Sequence, residues 1–109
     1  MKHTEAMNEN YLFRRLYRIG TCKVTPHIAV YYRGNKLGHN RLGITTTKKI
    51  GNAVQRNRAR RLIAEAYRLL ETDLPSGLDI VIVARKKAVY AKMQDVRSSL
   101  RQAFGSANA

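Results

Sequence analysis

The chain has 109 residues, 44% of them hydrophobic, and carries 21 Lys and Arg against 7 Asp and Glu, a formal charge of +14 at pH 7. That length suits one domain with a real core, and so lopsided a charge points to a polyanion, because uncompensated positive charge repels itself in a compact state. A disulfide scaffold is excluded, since Cys22 is the only cysteine, and so is a helical membrane span, since no apolar run approaches ~20 residues.

Residues 1–9 and 105–109 read as frayed ends around an ordered core of about 10–104. MKHTEAMNEN is polar and acid-bearing, unlike a signal peptide, so the chain reads as cytoplasmic. Residues 11–19 predict a short helix. Leu12, Leu16 and Ile19 recur at helical spacing, and Phe13 and Tyr17 form an i,i+4 pair beside them. Asn8 or Asn10 is the expected cap, and Gly20 is expected to end the helix in the left-handed conformation. Cys22 reads as a small packed residue rather than a nucleophile. Residues 27–33 (HIAVYYR) predict a strand, with Ile28, Val30 and Tyr32 on one face and His27, Ala29, Tyr31 and Arg33 on the other. Residues 34–41 read as a polar loop, and 42–47 (LGITTT) as a second strand, joined to the first as an antiparallel hairpin.

A helix is predicted over 52–70, with Asn52 as cap. Ala59, Leu62, Ile63, Ala66 and Leu70 form its apolar stripe, while Val54 falls off it. Residues 75–77 (PSG) mark a turn. Residues 78–84 (LDIVIVA) read as a strand buried on both faces, and 91–104 as a last helix with Met93, Val96, Leu100 and Phe104 inward. The order αββαβα makes an α+β sandwich, a small sheet with packed helices. If strands 42–47 and 78–84 are parallel neighbours, the general rule gives a right-handed crossover.

The acids leave a gap. None occurs from 10 to 64, where 13 of the 21 basic residues lie. Within that gap Arg56 and Arg60 are like-charged i,i+4 neighbours with Arg61 beside them, a repulsion that phosphates would relieve. Arg is favoured over Lys at Arg56, Arg58, Arg60 and Arg61, and its fork matches phosphate oxygens. Lys48, Lys49 and the amides of Gly51 and Asn52 make a second candidate anion site at the helix start. Phe13, Tyr17 and Tyr31, rimmed by Arg residues such as Arg14, make a candidate groove for single-stranded nucleic acid, where aromatics stack on bases. The alternative for these rings is simple core packing. No paired carboxylates, Gly-rich phosphate loop or His/Cys metal spacing is present. His3, His27 and His39 are scattered, so a self-contained enzyme is disfavoured.

GNAVQRNRARRLIAEAYR, with its Arg56-Asn57-Arg58 centre, resembles the signature of bacterial ribonuclease P protein subunits. LGITTTKKI, FRRLYRIG and DIVIVARKKA resemble the same family's other segments, so the likeness runs from 11 to 104. The resemblance implies a non-catalytic protein subunit of an endoribonuclease whose RNA is the ribozyme. That enzyme removes the 5′ leader of precursor tRNA, with Mg²⁺ at the RNA active site. It implies ribozyme contact by Arg56, Asn57, Arg58, Arg60 and Arg61, with the leader in the groove of Phe13, Tyr17 and Tyr31. Partners would be the ribonuclease P RNA and precursor tRNA, with no membrane and no obligate protein partner. It also implies a ribosomal-protein-like fold with a left-handed βαβ crossover, and a possible shared metal near Asn52. Three features depart from the family pattern: a nearly neutral stretch at 3–10, Ala64 where a basic residue is common, and Thr46 and Thr47 in place of Val and Ser. A ribosomal or other structural RNA-binding protein is the alternative reading.

Overall fold

Asn52 sets where the longest helix begins. Its Oδ1 accepts the Gln55 amide at 2.9 Å, and Gln55 Oε1 accepts the Asn52 amide at 2.8 Å, a reciprocal cap worth about 1 kcal/mol. The computed structural model describes residues 4–105. It contains β1 (Thr4–Ala6), α1 (Asn10–Ile19), β2 (Thr21–Val24), β3 (Ile28–Gly34), β4 (Asn40–Thr45), α2 (Ala53–Leu70), β5 (Leu78–Ala84) and α3 (Met93–Gly105). The order is therefore βαβββαβα, with short 3-10 turns at Lys48–Ile50, Glu71–Asp73 and Lys86–Tyr90.

One sheet has the order β1-β4-β5-β3-β2. The hairpin expected between 27–33 and 42–47 does not form. β5 lies between them, antiparallel to β3 (Tyr31 opposite Val81) and parallel to β4 (Gly43 opposite Val81). The reason is burial. The near-continuous apolar run of β5 is satisfied only at the sheet centre, with both faces covered and a neighbour on each side. β3 takes β2 as its hairpin partner instead, a strand the sequence pattern did not reveal. The supposed frayed start is also structured over residues 4–9. β1 pairs parallel with β4, and Met7 is buried, its amide bonded to Leu42 O at 2.9 Å.

The two sheet faces have separate cores. Ile28, Val30, Tyr32, Ile80 and Ile82 pack against Ala59, Ile63, Ala66 and Leu70 of α2 and Val96, Leu100 and Phe104 of α3. Met7, Leu12 and Leu16 pack against Val81 on the opposite face, with Phe13, Tyr31 and Val83 beside them. α1 thus covers only part of its face. Ile19 stays exposed, so the apolar stripe of α1 is narrower than its spacing suggests. The α1 N-cap is Glu9 without a side-chain cap bond, and Asn10 is the first helical residue. Gly20 is not left-handed: it leaves the helix in an extended conformation (φ −75°). Its glycine is needed for space, because a Cβ there would lie 2.6 Å from Leu16 O.

Tyr67 belongs to the α2 stripe although its spacing hides it at the edge. It is fully buried, and its hydroxyl meets Thr4 Oγ1 at 2.9 Å and Asn40 Nδ2 at 3.1 Å. Buried Asn40 also donates to Pro75 O and accepts from Leu78 N, tying β4 to the turn before β5. Among the described residues, no helix is long and apolar enough to cross a membrane.

Candidate nucleic-acid interface

β3 alternates, so Tyr31 points away from the large core, onto the face that α1 only partly covers. The Tyr17 ring meets Tyr31 edge-on, with centroids 5.0 Å apart and planes at 85°, and its hydroxyl lies 3.3 Å from Thr45 Oγ1. The Cys22 thiol, opposite Tyr31 in register, together with burial pushes the Tyr31 pKa above the usual phenol value. Tyr31 is thus a neutral ring near pH 7. Cys22 itself is exposed rather than packed inside. Phe13, one turn before Tyr17, lies over Gly43 of β4, where a Cβ would come within 2.6 Å of Phe13 Cε1. The glycine is what lets the ring settle onto the strand.

These placements leave an open groove between α1 and β4. One stretch, about 520 Å³, is lined by Asn10, Phe13, Arg14, Tyr17, Thr45 and Arg60. It continues past Phe13 into a second stretch of about 640 Å³ toward Met7, Leu42 and Ala64. Phe13 and Arg60 line both. The structure thus brings Phe13, Arg14, Tyr17 and Arg60 to one groove, with Tyr31 at the Tyr17 end. Lys48, Lys49, Asn52, Arg56, Asn57, Arg58 and Arg61 do not line it.

The arginines of α2 are not a uniform row of free forks. Arg56 Nη1 donates to Gly51 O at 2.9 Å. Arg58 donates to Val89 O at 2.5 Å and Ala91 O at 3.0 Å, clamping the turn at Lys86–Tyr90 onto the helix. Arg60 donates to Ile44 O at 2.6 Å and Thr46 Oγ1 at 3.1 Å. β1 pairs with β4 only through Leu42, so Arg60 covers the strand edge that β1 leaves open. Each guanidinium has five N–H donors, so every anchored fork keeps donors to spare and is held in place besides. Asn57 and Arg61 stand exposed on the same helix. Arg68, at its far end, is paired with Glu65.

At the helix start, Lys48 and Lys49 are exposed on their turn. The Asn52 amide is not available to an anion, because Gln55 Oε1 already takes it. Asn52 Oδ1, the atom through which it would meet a metal, is likewise engaged by the cap. Among the described residues no group of three or more His, Cys, Asp or Glu is placed to hold a metal ion. His27 is half-buried, its Nδ1 3.2 Å from Ser99 Oγ, and His39 pairs with Glu5 at 3.0 Å; His3 lies outside the described residues. Thr45, Gly43 and Cys22 are groove residues that sequence reasoning missed. The period of two along β4 places Gly43 and Thr45 on one face, but which face lay against α1 was not legible.

The family model for ribonuclease P matches residues 1–108. A ribonuclease P protein component from a Thermoanaerobacter species is 40% identical over 96 residues, covering 88% of this chain and 83% of its own. That of Clostridioides difficile is 36% identical over 99 residues, covering 90% and 87%. Among solved structures, the Staphylococcus aureus RNase P protein superposes with a TM-score of 0.81 at 32% identity, covering 94% of each chain. The Thermotoga maritima protein gives a TM-score of 0.80 at 28% identity, covering 90% and 93%. With a family model spanning nearly its whole length, the chain belongs to the family of ribonuclease P protein components.

Proposed function

We propose that this chain, as the protein subunit of ribonuclease P, binds the ribonuclease P RNA through the α2 arginines and the 5′ leader of precursor tRNA through the groove beside α1. The observation that carries this reading is the family match over residues 1–108. The groove supplies its physical logic. Tyr17, Tyr31 and Phe13 offer π-faces that accept any base, and Arg14 and Arg60 flank them for the backbone. Arg56, Asn57, Arg58, Arg60 and Arg61, with Lys48 and Lys49, take phosphates of the ribozyme. The net charge of +14 screens the repulsion between two polyanions, ribozyme and substrate. Because mature tRNA lacks the leader, groove contacts favour precursor over product. The chemistry stays with the RNA, where Mg²⁺ supplies metal-assisted hydrolysis, and the site of action is the cytoplasm.

The test is cleavage of precursor tRNA at low Mg²⁺ by a bacterial ribonuclease P RNA, with the protein, without it, and with the protein alone. Cleavage at the mature 5′ end by the combination only is the expected result. Cleavage by the protein alone, or no gain from adding it, overturns the reading, and the second outcome moves a structural RNA-binding role to the front.

A further inference from the structure

The other side of α1 holds a separate cleft. It occupies about 260 Å³ at the edge of the sheet where β3 ends and β4 and β5 begin, with Leu12 and Leu16 as its apolar wall. Four cations converge on it: Arg15 of α1, Arg33 of β3, Lys36 of the following loop and Arg41 of β4. One acid is present. Asp79 takes Arg41 Nε at 2.6 Å and Nη2 at 2.7 Å, leaving Arg41 Nη1 outside the pair. Four positive groups against one negative leave a local excess of three in a recessed space. There, fields are focused and water competes less than on an open surface.

The loop over this cleft is fixed, not slack. Asn35 N donates to Gly77 O at 2.9 Å, and its side-chain amide donates to His39 O and to Asp79 Oδ1. Its Oδ1 accepts the Leu37 amide at 2.8 Å. Between Asn35 and Leu37, Lys36 is held at φ +62°, the only non-glycine residue described with positive φ. A lysine gains nothing locally from that conformation, which favours Gly or Asn. The strain places a cation at the cleft mouth. The Arg15 charge also acts on Asp79 and helps to hold its carboxyl ionised, which places Arg15 within electrostatic reach of the same pocket.

We propose that Arg15, Arg33, Lys36 and the free edge of Arg41 form a phosphate-binding pocket, distinct from the aromatic groove and from the α2 arginines. The volume suits a phosphate or diphosphate group, below the range of about 300–1,000 Å³ usual for larger ligands. A phosphodiester of an RNA strand and a free phosphate share this chemistry.

The test titrates the full chain with inorganic phosphate and follows backbone amides and arginine side chains by nuclear magnetic resonance. Saturable shifts are expected at Gly34, Asn35 and Lys36 and at the Arg15 and Arg33 side chains. The exposed pair Arg15→Ala/Arg33→Ala should weaken this response about tenfold or more, while shifts along α2 persist. Lys36→Gly separates binding from folding: it relieves the left-handed lysine, so its Tm should match or exceed the parent while phosphate binds more weakly. Shifts confined to α2, a response that does not saturate, or an unchanged response in both variants overturns the pocket. A second arm identifies the source. Weaker binding of long-leader but not short-leader precursor by the double variant, within the assembled ribonucleoprotein, assigns the pocket to an RNA phosphate. Equal binding of both by variant and parent, with the phosphate response lost, assigns it to a free anion.

Discussion

Arg58 and Arg61 stand three residues apart on α2, and the fold gives them opposite tasks. Arg58 satisfies two backbone carbonyls of the Lys86–Tyr90 region, whereas Arg61 faces solvent. Arg58→Ala should therefore cost about 1–3 kcal/mol in urea unfolding, since it strips the donors from both carbonyls. Arg61→Ala should leave stability within about 0.5 kcal/mol and instead weaken ribozyme binding, making its salt slope shallower by roughly 0.7–0.9. An unchanged slope would remove Arg61 from the interface. In the groove, Tyr31→Ala should weaken precursor binding by about 1–3 kcal/mol while sparing mature tRNA; equal loss for both would place the leader elsewhere. At this scale the sequence identified the aromatic trio and the arginines, because residue chemistry is local. It did not separate anchored arginines from unanchored ones, because a carbonyl 31 residues away, such as Val89 O, leaves no mark beside Arg58.

β4 shows how one element shapes the groove. Its outer edge is paired by β1 only as far as Leu42, then closed by Arg60, and its Gly43 accepts the Phe13 ring. Gly43→Ala should push the ring off the strand, costing about 1–3 kcal/mol through overpacking and weakening precursor binding. Combining it with Phe13→Leu should recover part of the stability but not the binding. If Gly43→Ala is as stable as the parent, the close approach of ring and strand does not exist in solution. α2 was readable nearly to the residue because Asn52, Gln55 and an 18-residue helical period all agree. β1 and β2, with 3 and 4 residues, were not, being too short for a period of two to stand out.

For the whole molecule, Asp79 links the parts. Burial pushes its carboxyl up, but hydrogen bonds from Arg41 and Asn35 and the nearby Arg41 charge outweigh that and hold it below the usual carboxylate range. A carboxyl with a lowered folded pKa contributes its full stability above the unfolded value of about 3.9 and loses it as pH falls through the folded value. The urea midpoint of the parent should therefore drop on acidification below about pH 4 more steeply than that of Asp79→Asn. That variant should already be less stable at neutral pH by about 1–3 kcal/mol. Parallel pH profiles for the two would mean that Asp79 is not held ionised by the fold.

The sequence by itself determined the charge, the cap and stripe of α2 and the buried run of β5. All of these follow from side-chain chemistry and from periods within one element. Only the tertiary structure decided that β5 sits between β3 and β4, that α1 covers only part of one sheet face, and that Arg60 closes an edge beside Phe13. Strand pairing and helix placement are settled by burial and hydrogen-bond closure between distant segments. A local pattern can demand such partners but cannot choose them.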